Sequence, residues 1–434
     1  MIQPSLHPKA MLMIRRGLPF AFILLLHLSA LGKISLKCDQ ADGLYEADSK
    51  ATITCIVSDT QGEVPSKINL EITDGIYANK RAQTLPLIDG KGTLQLSGDG
   101  HIMVRAQLSD NDKASIGVVF NAPAISPSLP APDDFDTFWA DKKAALAKIP
   151  AKILKREPVK NWEEYLTKGL HLEQLTIQAW GDTPVVGILA YPEGAKPKSL
   201  PAKLGVYWAG VYGSENGPKW LIPKCARAGY VSFHIQPHGI TWLESKKYYN
   251  ELKENRLKNY HKIGSKNRDT SYFLGMYLRI IRGLDILCDN PIWNGTDMTV
   301  FGASQGGGQA LVAAGLDSRI TAVSASIPAM CDHTATALGR HMSWPNLNPN
   351  RSDIDTWETS RYFDAVHFAA RAKVPAVIGC GLVDSTCPPF NVLAAYNIYG
   401  GPKRLVTAPL SGHKMTDPFK KDMAKAEDEF LHKL

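Results

Sequence analysis

The stretch Met298-Thr-Val-Phe-Gly-Ala-Ser304-Gln-Gly-Gly-Gly308 predicts the architecture of the second half of the chain. The apolar, β-branched run from Met298 to Phe301 is typical of a buried strand, and Gln309 to Leu316 favours a helix. Between them lies a G-x-S-x-G pattern, which places Ser304 on a sharp strand-to-helix turn. Such a turn, a nucleophile elbow, projects the serine hydroxyl from the sheet edge. The alternative is an ordinary glycine-rich turn, since the pattern also arises by chance.

The elbow also predicts a binding place for a negatively charged oxygen. The backbone N–H of Gln305 is expected at the N-terminus of the helix that follows the turn. The first N–H groups of a helix lack intrahelical partners and can bind an anion. A second N–H donor is expected from the loop after the predicted strand Lys203–Trp208. Gly210, Val211 and Tyr212 are the candidates, and we favour Val211. Tyr212 alternatively lines the mouth of the site.

A leader sequence is predicted at the start of the chain. Residues 1–32 contain three basic residues, then the apolar run Leu18–Leu31, with small residues at Ala30-Leu31-Gly32. This order is typical of a signal peptide, so we expect a secreted or periplasmic protein. The apolar run is shorter than the ~20 residues of a membrane-spanning helix, so no stable membrane span is expected.

Composition excludes several classes of protein. The chain has 434 residues, 44% of them hydrophobic and 21% charged, as in ordinary globular proteins. The net charge is +7, of which the leader supplies three, and the remainder predicts no nucleic-acid partner. Seven cysteines form no C-x-x-C pair, so no metal site is expected. Cys38 and Cys55 are either a disulfide or two buried thiols.

The pattern along the chain predicts two structural domains after the leader. Residues 33–121 contain short alternating runs separated by turn signals, which predict a small β-sandwich domain. It is either a carbohydrate- or partner-binding module or a packing domain. Residues 122–134 form a Pro-rich linker. Strands alternate with helices over 135–434, which predicts a mostly parallel sheet with helices on both faces.

A serine nucleophile needs a base and an orienting acid, which follow it in the order Ser, acid, His in this architecture. Asp384 comes just after the apolar run 374–380, at the carboxyl end of a predicted strand. His413 follows the last predicted strand and precedes the final helix. The rival acids Asp317, Asp332 and Asp364 follow a predicted strand less directly. The other histidines in this half, His333, His341 and His367, do not combine the order with the post-strand position as His413 does.

Several motifs together resemble one known family, the acetyl xylan esterase / cephalosporin C deacetylase family. The motifs are Asp133–Trp139, Gly302–Gly308, Tyr362–Pro375, Gly381–Pro389, Ala394–Asn397 and Gly412-His413, and the match covers roughly 130–430. The resemblance implies an α/β-hydrolase fold with Ser304, Asp384 and His413 as the catalytic triad. It also implies oxyanion donors from Gln305 and from the loop after Lys203–Trp208.

Two segments depart from the family pattern. Ala209-Gly-Val-Tyr-Gly213 replaces a His-Gly-Tyr-Asn-Gly loop, and Gln236-Pro-His-Gly239 replaces Arg-Gly-Gln-Gly. The family forms ring-like oligomers, and a homo-oligomer stays open for this chain.

The expected function is an exported serine esterase that removes acetyl or other short acyl groups from a carbohydrate such as xylan. It uses an acyl-enzyme and no metal or organic cofactor. Two alternatives stay open. One is another α/β-hydrolase activity, as a general carboxylesterase or a peptidase, and the other is a non-catalytic polysaccharide-binding protein.

Overall fold

The computed structural model describes residues 33–58, 64–75, 79–159, 162–207, 218–242, 244–348 and 351–431. The predicted leader 1–32 lies outside this part of the chain. No helix among the described residues is long and apolar enough to cross a membrane.

The first described region is all-β. Its strands are β1 (Lys33–Cys38), β2 (Leu44–Tyr45), β3 (Ala51–Ser58), β4 (Lys67–Asp74), β5 (Asn79–Pro86), β6 (Lys91–Leu96), β7 (Gly100–Ser109) and β8 (Asp112–Phe120). They form two sheets, in the orders β1-β3-β6 and β2-β8-β7-β4-β5. Ile53 from the first sheet and Leu70 and Val104 from the second belong to one buried apolar cluster. Alternate side chains therefore face a shared core, as in a sandwich.

Cys38 and Cys55 are buried free thiols. In the antiparallel pair β1–β3, Cys38 lies opposite Ile53 and Cys55 lies opposite Leu36, so the two cysteines are not direct partners. The Cys38 thiol donates instead to the carbonyl oxygen of Gln40 at 2.8 Å. The sequence left open a disulfide or two buried thiols, and in the structure Cys38 and Cys55 are two buried thiols.

The Pro-rich segment after β8 is fastened to the rest of the chain. It begins with a 3₁₀-helix, Ala122–Ala124. The Ser128 N–H donates to the Asp332 carboxylate at 2.9 Å, and the Arg340 guanidinium donates to the carbonyl oxygen of Ser126 at 2.6 Å. These contacts fix the path of the segment across the second region.

The second region is an α/β structure. Its elements are α1 (Phe135–Ala147), β9 (Ile153–Pro158), α2 (Glu164–Thr167), β10 (Leu170–Ile177), β11 (Val185–Pro192), β12 (Leu200–Val206), α3 (Leu221–Arg227), β13 (Val231–Gln236), α4 (Lys246–Glu254), α5 (Tyr272–Cys288), β14 (Trp293–Ala303), α6 (Gln305–Leu316), β15 (Ala322–Ser326), α7 (Ile354–Arg361), α8 (Ala365–Ala369), β16 (Ala376–Gly381), α9 (Pro389–Ile398), β17 (Lys403–Ala408) and α10 (Asp417–Phe430). Two further 3₁₀-helices are Tyr260–Lys262 and Ala335–Leu338.

One sheet runs through this region in the order β17-β16-β15-β14-β12-β13-β11-β10-β9. Its strands are parallel from β17 to β13 and antiparallel from β13 to β9. The mostly parallel sheet predicted from the sequence is confirmed. The carboxyl ends of β14, β16 and β17 therefore lie at the same edge of the sheet.

Helices cover both faces of this sheet. On one face, Leu204 and Ile235 approach Gly283 of α5. The opposite face of the sheet is covered by α3 and α10. There, Gly205 of β12 lines one cavity together with Lys224 of α3 and Glu427 of α10. Every residue of β13 and of β16 is buried, as expected for strands that are covered on both faces. The fold is that of an α/β-hydrolase preceded by an all-β region.

Candidate active site

Ser304 occupies the turn between β14 and α6 with a positive φ, at φ 56° and ψ −123°. Such a conformation is strained for a residue with a side chain and persists only where its neighbours enforce it. A Cβ at Gly302 would lie 2.4 Å from the backbone of Gly306, and one at Gly306 would lie 2.3 Å from the carbonyl oxygen of Val206. Both glycines are therefore needed for the close approach of strand, turn and helix.

Backbone hydrogen bonds hold Ser304 in this conformation. Its N–H donates to the carbonyl oxygen of Ser326 at 3.0 Å, and its own carbonyl oxygen accepts from Ala329 at 2.9 Å and Gly308 at 3.0 Å. The segment after β15 that supplies these contacts also has residues with a positive φ, among them Ile327 and Met330. The turn at Ser304 and the turn after β15 are therefore hydrogen-bonded to each other behind the hydroxyl.

The three predicted side chains of the site meet at this turn. Ser304 Oγ lies 3.0 Å from His413 Nε2, and His413 Nδ1 lies 2.9 Å from Asp384 Oδ2. A carboxylate only accepts hydrogen bonds, so Nδ1 carries a proton. In the neutral ring, Nε2 then accepts from the serine hydroxyl. The chain of bonds is therefore directed from hydroxyl to imidazole to carboxylate.

Asp384 is held rigidly, whereas His413 reaches the surface. The second carboxylate oxygen of Asp384 accepts from the backbone N–H of Thr386 at 2.8 Å and of Cys387 at 2.9 Å. The Asp384 side chain is 0% exposed and the His413 side chain is 35% exposed. Ser304 is 7% exposed. Exposure rises from the acid to the base, so a ligand would reach the hydroxyl from the imidazole side.

Two adjacent loops carry the acid and the base. Asp384 lies three residues after β16 and His413 five residues after β17, as their post-strand positions predicted. The loops bond to each other, since Leu382 N–H donates to Ala408 at 3.0 Å and Val383 N–H to Ser411 at 3.1 Å. Parallel strands with bonded loops place the two side chains within hydrogen-bond reach.

Gln305 is the first residue of α6, where its backbone N–H has no intrahelical partner. Its side chain is fully buried; Oε1 accepts from the Tyr260 hydroxyl and Nε2 donates to Met276 Sδ at 3.4 Å. Tyr260 belongs to the polar segment 241–270, and nothing in the sequence signals this long-range contact. Val211, the favoured second donor, lies outside the described residues.

Cys387 is a third buried group beside the acid. Asp384, Cys387 and His413 offer possible ligand atoms within 4.8 Å of one another. Burial raises the pKa of the Cys387 thiol well above its ordinary range, so the sulfur carries its proton at neutral pH. The carboxylate and the imidazole are bonded to each other. The bonded pair of Asp384 and His413 is arranged for proton transfer.

The rival acids and bases have structural contacts instead. Asp364 accepts from the backbone N–H of Asp332 at 2.8 Å and of His333 at 2.6 Å, which fixes the turn behind the elbow. Burial lowers the pKa of His333 to about 4 and of His367 to about 3, so both rings are neutral core groups. Asp317 pairs with Arg319.

A cavity of about 560 Å³ lies between α3 and α10, on the sheet face below the elbow. Trp220, Leu221, Phe301 and Ala303 are among its lining residues, but the Ser304–His413–Asp384 group is not. Among the described residues, none of the three proposed catalytic side chains lines this cavity.

The acetyl xylan esterase (AXE1) family profile matches residues 124–429, which is most of the chain. The chain belongs to the acetyl xylan esterase family. Acetyl esterase Axe7A of Xylanibacter ruminicola is 25% identical over 389 residues, which cover 87% of this chain and 86% of that protein. The family assignment makes the chain a carboxylic ester hydrolase.

Solved structures give the same fold. The acetyl xylan esterase from Paenibacillus sp. R4 superposes with a TM-score of 0.61 at 26% identity, over 71% of this chain and 98% of that chain. Acetyl xylan esterase 1 from Thermoanaerobacterium sp. JW/SL YS485 superposes with a TM-score of 0.57 at 19% identity, over 70% and 96%. The predicted family and the predicted α/β-hydrolase fold are both confirmed.

Proposed function

We propose that the protein is an exported serine esterase that removes acetyl groups from a carbohydrate such as xylan or xylo-oligosaccharides, with Ser304, His413 and Asp384 as its catalytic residues. The observation that carries this proposal is the directed chain of hydrogen bonds, 3.0 Å from Ser304 Oγ to His413 Nε2 and 2.9 Å from His413 Nδ1 to Asp384 Oδ2. A hydroxyl bonded to an oriented neutral base is an activated nucleophile.

In the first half of the reaction, Ser304 Oγ attacks the ester carbonyl carbon while His413 Nε2 takes the hydroxyl proton. The negative charge on the carbonyl oxygen is bound by the N–H of Gln305 and by a second N–H, for which Val211 is our candidate. Each such donor lowers the barrier by about 2.7–4 kcal/mol in enzymes where it has been removed.

The intermediate then collapses to an acetyl-enzyme. The bond from the acyl carbon to the sugar oxygen breaks, and protonated His413 passes its proton to that oxygen. A water molecule attacks the acetyl-enzyme with His413 again as the base, which releases acetate and restores the Ser304 hydroxyl. Buried Asp384 keeps the Nδ1 proton in place through both halves and stabilises the charged ring.

Two observations support the acetylated carbohydrate substrate and export. Two similar proteins are called acetyl esterase and acetyl xylan esterase, and the alignments cover 86% and 98% of their lengths. Residues 1–32 have the order of charge, apolar run and small residues that is typical of a signal peptide.

Acetate release from a panel of acetylated polysaccharides tests the function. We expect release from acetylated xylan by the wild type and none by Ser304→Ala. Acetyl, butyryl and longer aryl esters and a peptide anilide, assayed in parallel, distinguish the alternatives. Faster turnover of the long esters or of the anilide would contradict a deacetylase, and absence of all turnover would favour a non-catalytic binding protein.

A further inference from the structure

The N-terminal β region touches the loop that carries the proposed acid. His101 on β7 is buried, and its Nε2 lies 2.7 Å from the carbonyl oxygen of Leu382, two residues before Asp384. A carbonyl oxygen only accepts, so Nε2 carries the proton. The ring also meets Phe390 of α9 edge-on, with centroids 6.2 Å apart. Burial lowers the pKa of His101 to about 4, so the ring is neutral at neutral pH.

The same region touches the loop that carries the proposed base. The backbone N–H of Gly117 on β8 donates to the carbonyl oxygen of Pro409 at 2.9 Å, four residues before His413. Nearby, the Thr407 hydroxyl at the end of β17 donates to the carbonyl oxygen of Asp42 at 2.6 Å. Both loops are therefore hydrogen-bonded to the β region, and a backbone oxygen is the acceptor in each bond.

Glycines allow this close approach. A Cβ at Gly117 would lie 2.0 Å from the carbonyl oxygen of Leu382. A Cβ at Gly43 would lie 2.9 Å from the side chains of both Leu382 and Pro409. Gly117 does not have a left-handed φ, so available space alone explains its lack of a side chain. The β region packs directly on the two loops, with backbone against backbone.

We propose that the β region, residues 33–121, is a positioning element that sets the distance between Asp384 and His413, with His101 and Gly117 as its positioning residues. The loops are bonded to each other as well, so a displacement of Leu382 is transmitted to the base. This role rests on the proposed catalytic functions of Asp384 and His413. It assigns the β region to the reaction itself and not to carbohydrate capture.

Gly117→Ala tests the close approach. Its methyl group would need more than 1 Å of displacement to reach the ordinary contact distance of 3.4 Å from the Leu382 oxygen. Because a misplacement of about 1 Å costs roughly 100-fold in rate, we expect kcat for an aryl acetate to fall by about that factor, with KM changed much less. Gly92→Ala is the matched control, since its methyl group would lie 2.6 Å from Pro86 O, within the β region and away from the loops.

Variants at His101 separate an effect on the geometry of the site from an effect on the stability of the fold. His101→Leu leaves the Leu382 carbonyl oxygen without this donor, whereas the amide of His101→Gln can donate in its place. We expect a loss of kcat in His101→Leu, most of which His101→Gln recovers. The low-field proton resonance of His413 Nδ1–H is measured in the same variants, because it reports the bond to Asp384 without turnover. It should shift or broaden in Gly117→Ala and His101→Leu and stay unchanged in Gly92→Ala.

The outcomes of the two proposals are distinguishable. If the wild type turns over an aryl acetate and Ser304→Ala does not, the catalytic role of Ser304 stands whatever the variants of the β region do. The positioning role is overturned if His101→Leu and Gly117→Ala keep wild-type kcat and an unchanged resonance. It is also overturned if Gly92→Ala loses as much kcat at an equal loss of thermal stability. If the wild type is inactive, the resonance alone decides whether the β region sets the geometry.

Discussion

Asp384→Asn changes one atom in the buried chain of hydrogen bonds. Two backbone N–H groups donate to Oδ1 of Asp384 at 2.8 and 2.9 Å, so the amide oxygen of the asparagine is fixed at that position. The amide nitrogen then replaces Oδ2, 2.9 Å from His413 Nδ1. An NH₂ group only donates, so Nδ1 must lose its proton and Nε2 must carry it. The ring then presents an N–H to Ser304 and cannot act as its base.

The expected loss follows from this tautomer. The same substitution in other Ser-His-Asp enzymes lowers kcat by about 10⁴-fold, which is about 5 kcal/mol of barrier. We expect that magnitude here because the amide has no room to rotate, the Asp384 side chain being 0% exposed. Ground-state binding does not use the carboxylate, so KM should change little.

Initial rates with an aryl acetate and thermal unfolding measure the two effects separately. Asp317→Asn is the control. Asp317 also forms a partly buried hydrogen-bonded ion pair, with Arg319, but it lies at the opposite end of α6 from Ser304. It should lose stability and keep its rate. A kcat for Asp384→Asn within tenfold of the wild type would refute the assignment of the acid.

Three further predictions address the nucleophile, the elbow and the response to acid. Ser304→Ala should lower kcat on the order of 10⁶-fold without altering the unfolding transition, and retained turnover would exclude Ser304 as the nucleophile. Helix propensity alone predicts that Gly306→Ala stabilises the fold by about 1 kcal/mol. The 2.3 Å approach to Val206 O predicts instead a loss of about 1–3 kcal/mol in urea unfolding, and a gain would contradict the close packing. Folding lowers the pKa of His101 from its ordinary 6.5 to about 4, so its contribution to stability is present above pH 6.5 and is lost as the pH falls towards 4. In His101→Gln, the slope of the unfolding free energy near pH 5 should therefore be smaller by about 1 kcal/mol per pH unit, and an equal slope would mean that the ring is protonated in the fold.

The order of elements in the second region could be predicted because buried strands and helices show apolar runs or apolar periodicity in the sequence. The predicted strand Met298–Phe301 lies within Trp293–Ala303, and the predicted helix Gln309–Leu316 lies within Gln305–Leu316. Two strands whose side chains are mostly exposed or half-buried could not be predicted. Most of Asn79–Pro86 is exposed, and Ile153–Pro158 at the edge of the large sheet is mostly exposed or half-buried, so neither shows apolar alternation.

The residues of the site also divide into those that the sequence predicts and those that it does not. Ser304, Asp384 and His413 could be found because chain order and a position just after a strand restrict where an acid and a base can lie. Tyr260 and His101 could not be found, because each acts through a contact far away in the sequence, with Gln305 and with Leu382 respectively. Local patterns carry no information about such contacts.

Covalent labelling of Ser304 tests the central claim most directly. The protein is incubated with a fluorophosphonate, digested, and analysed by mass spectrometry, with His413→Ala as the comparison. The account predicts one adduct, on the peptide that contains Ser304, which acetylated xylo-oligosaccharides suppress and which forms far more slowly in His413→Ala. A wild-type protein without this adduct, or labelling that is equally fast without His413, would contradict it.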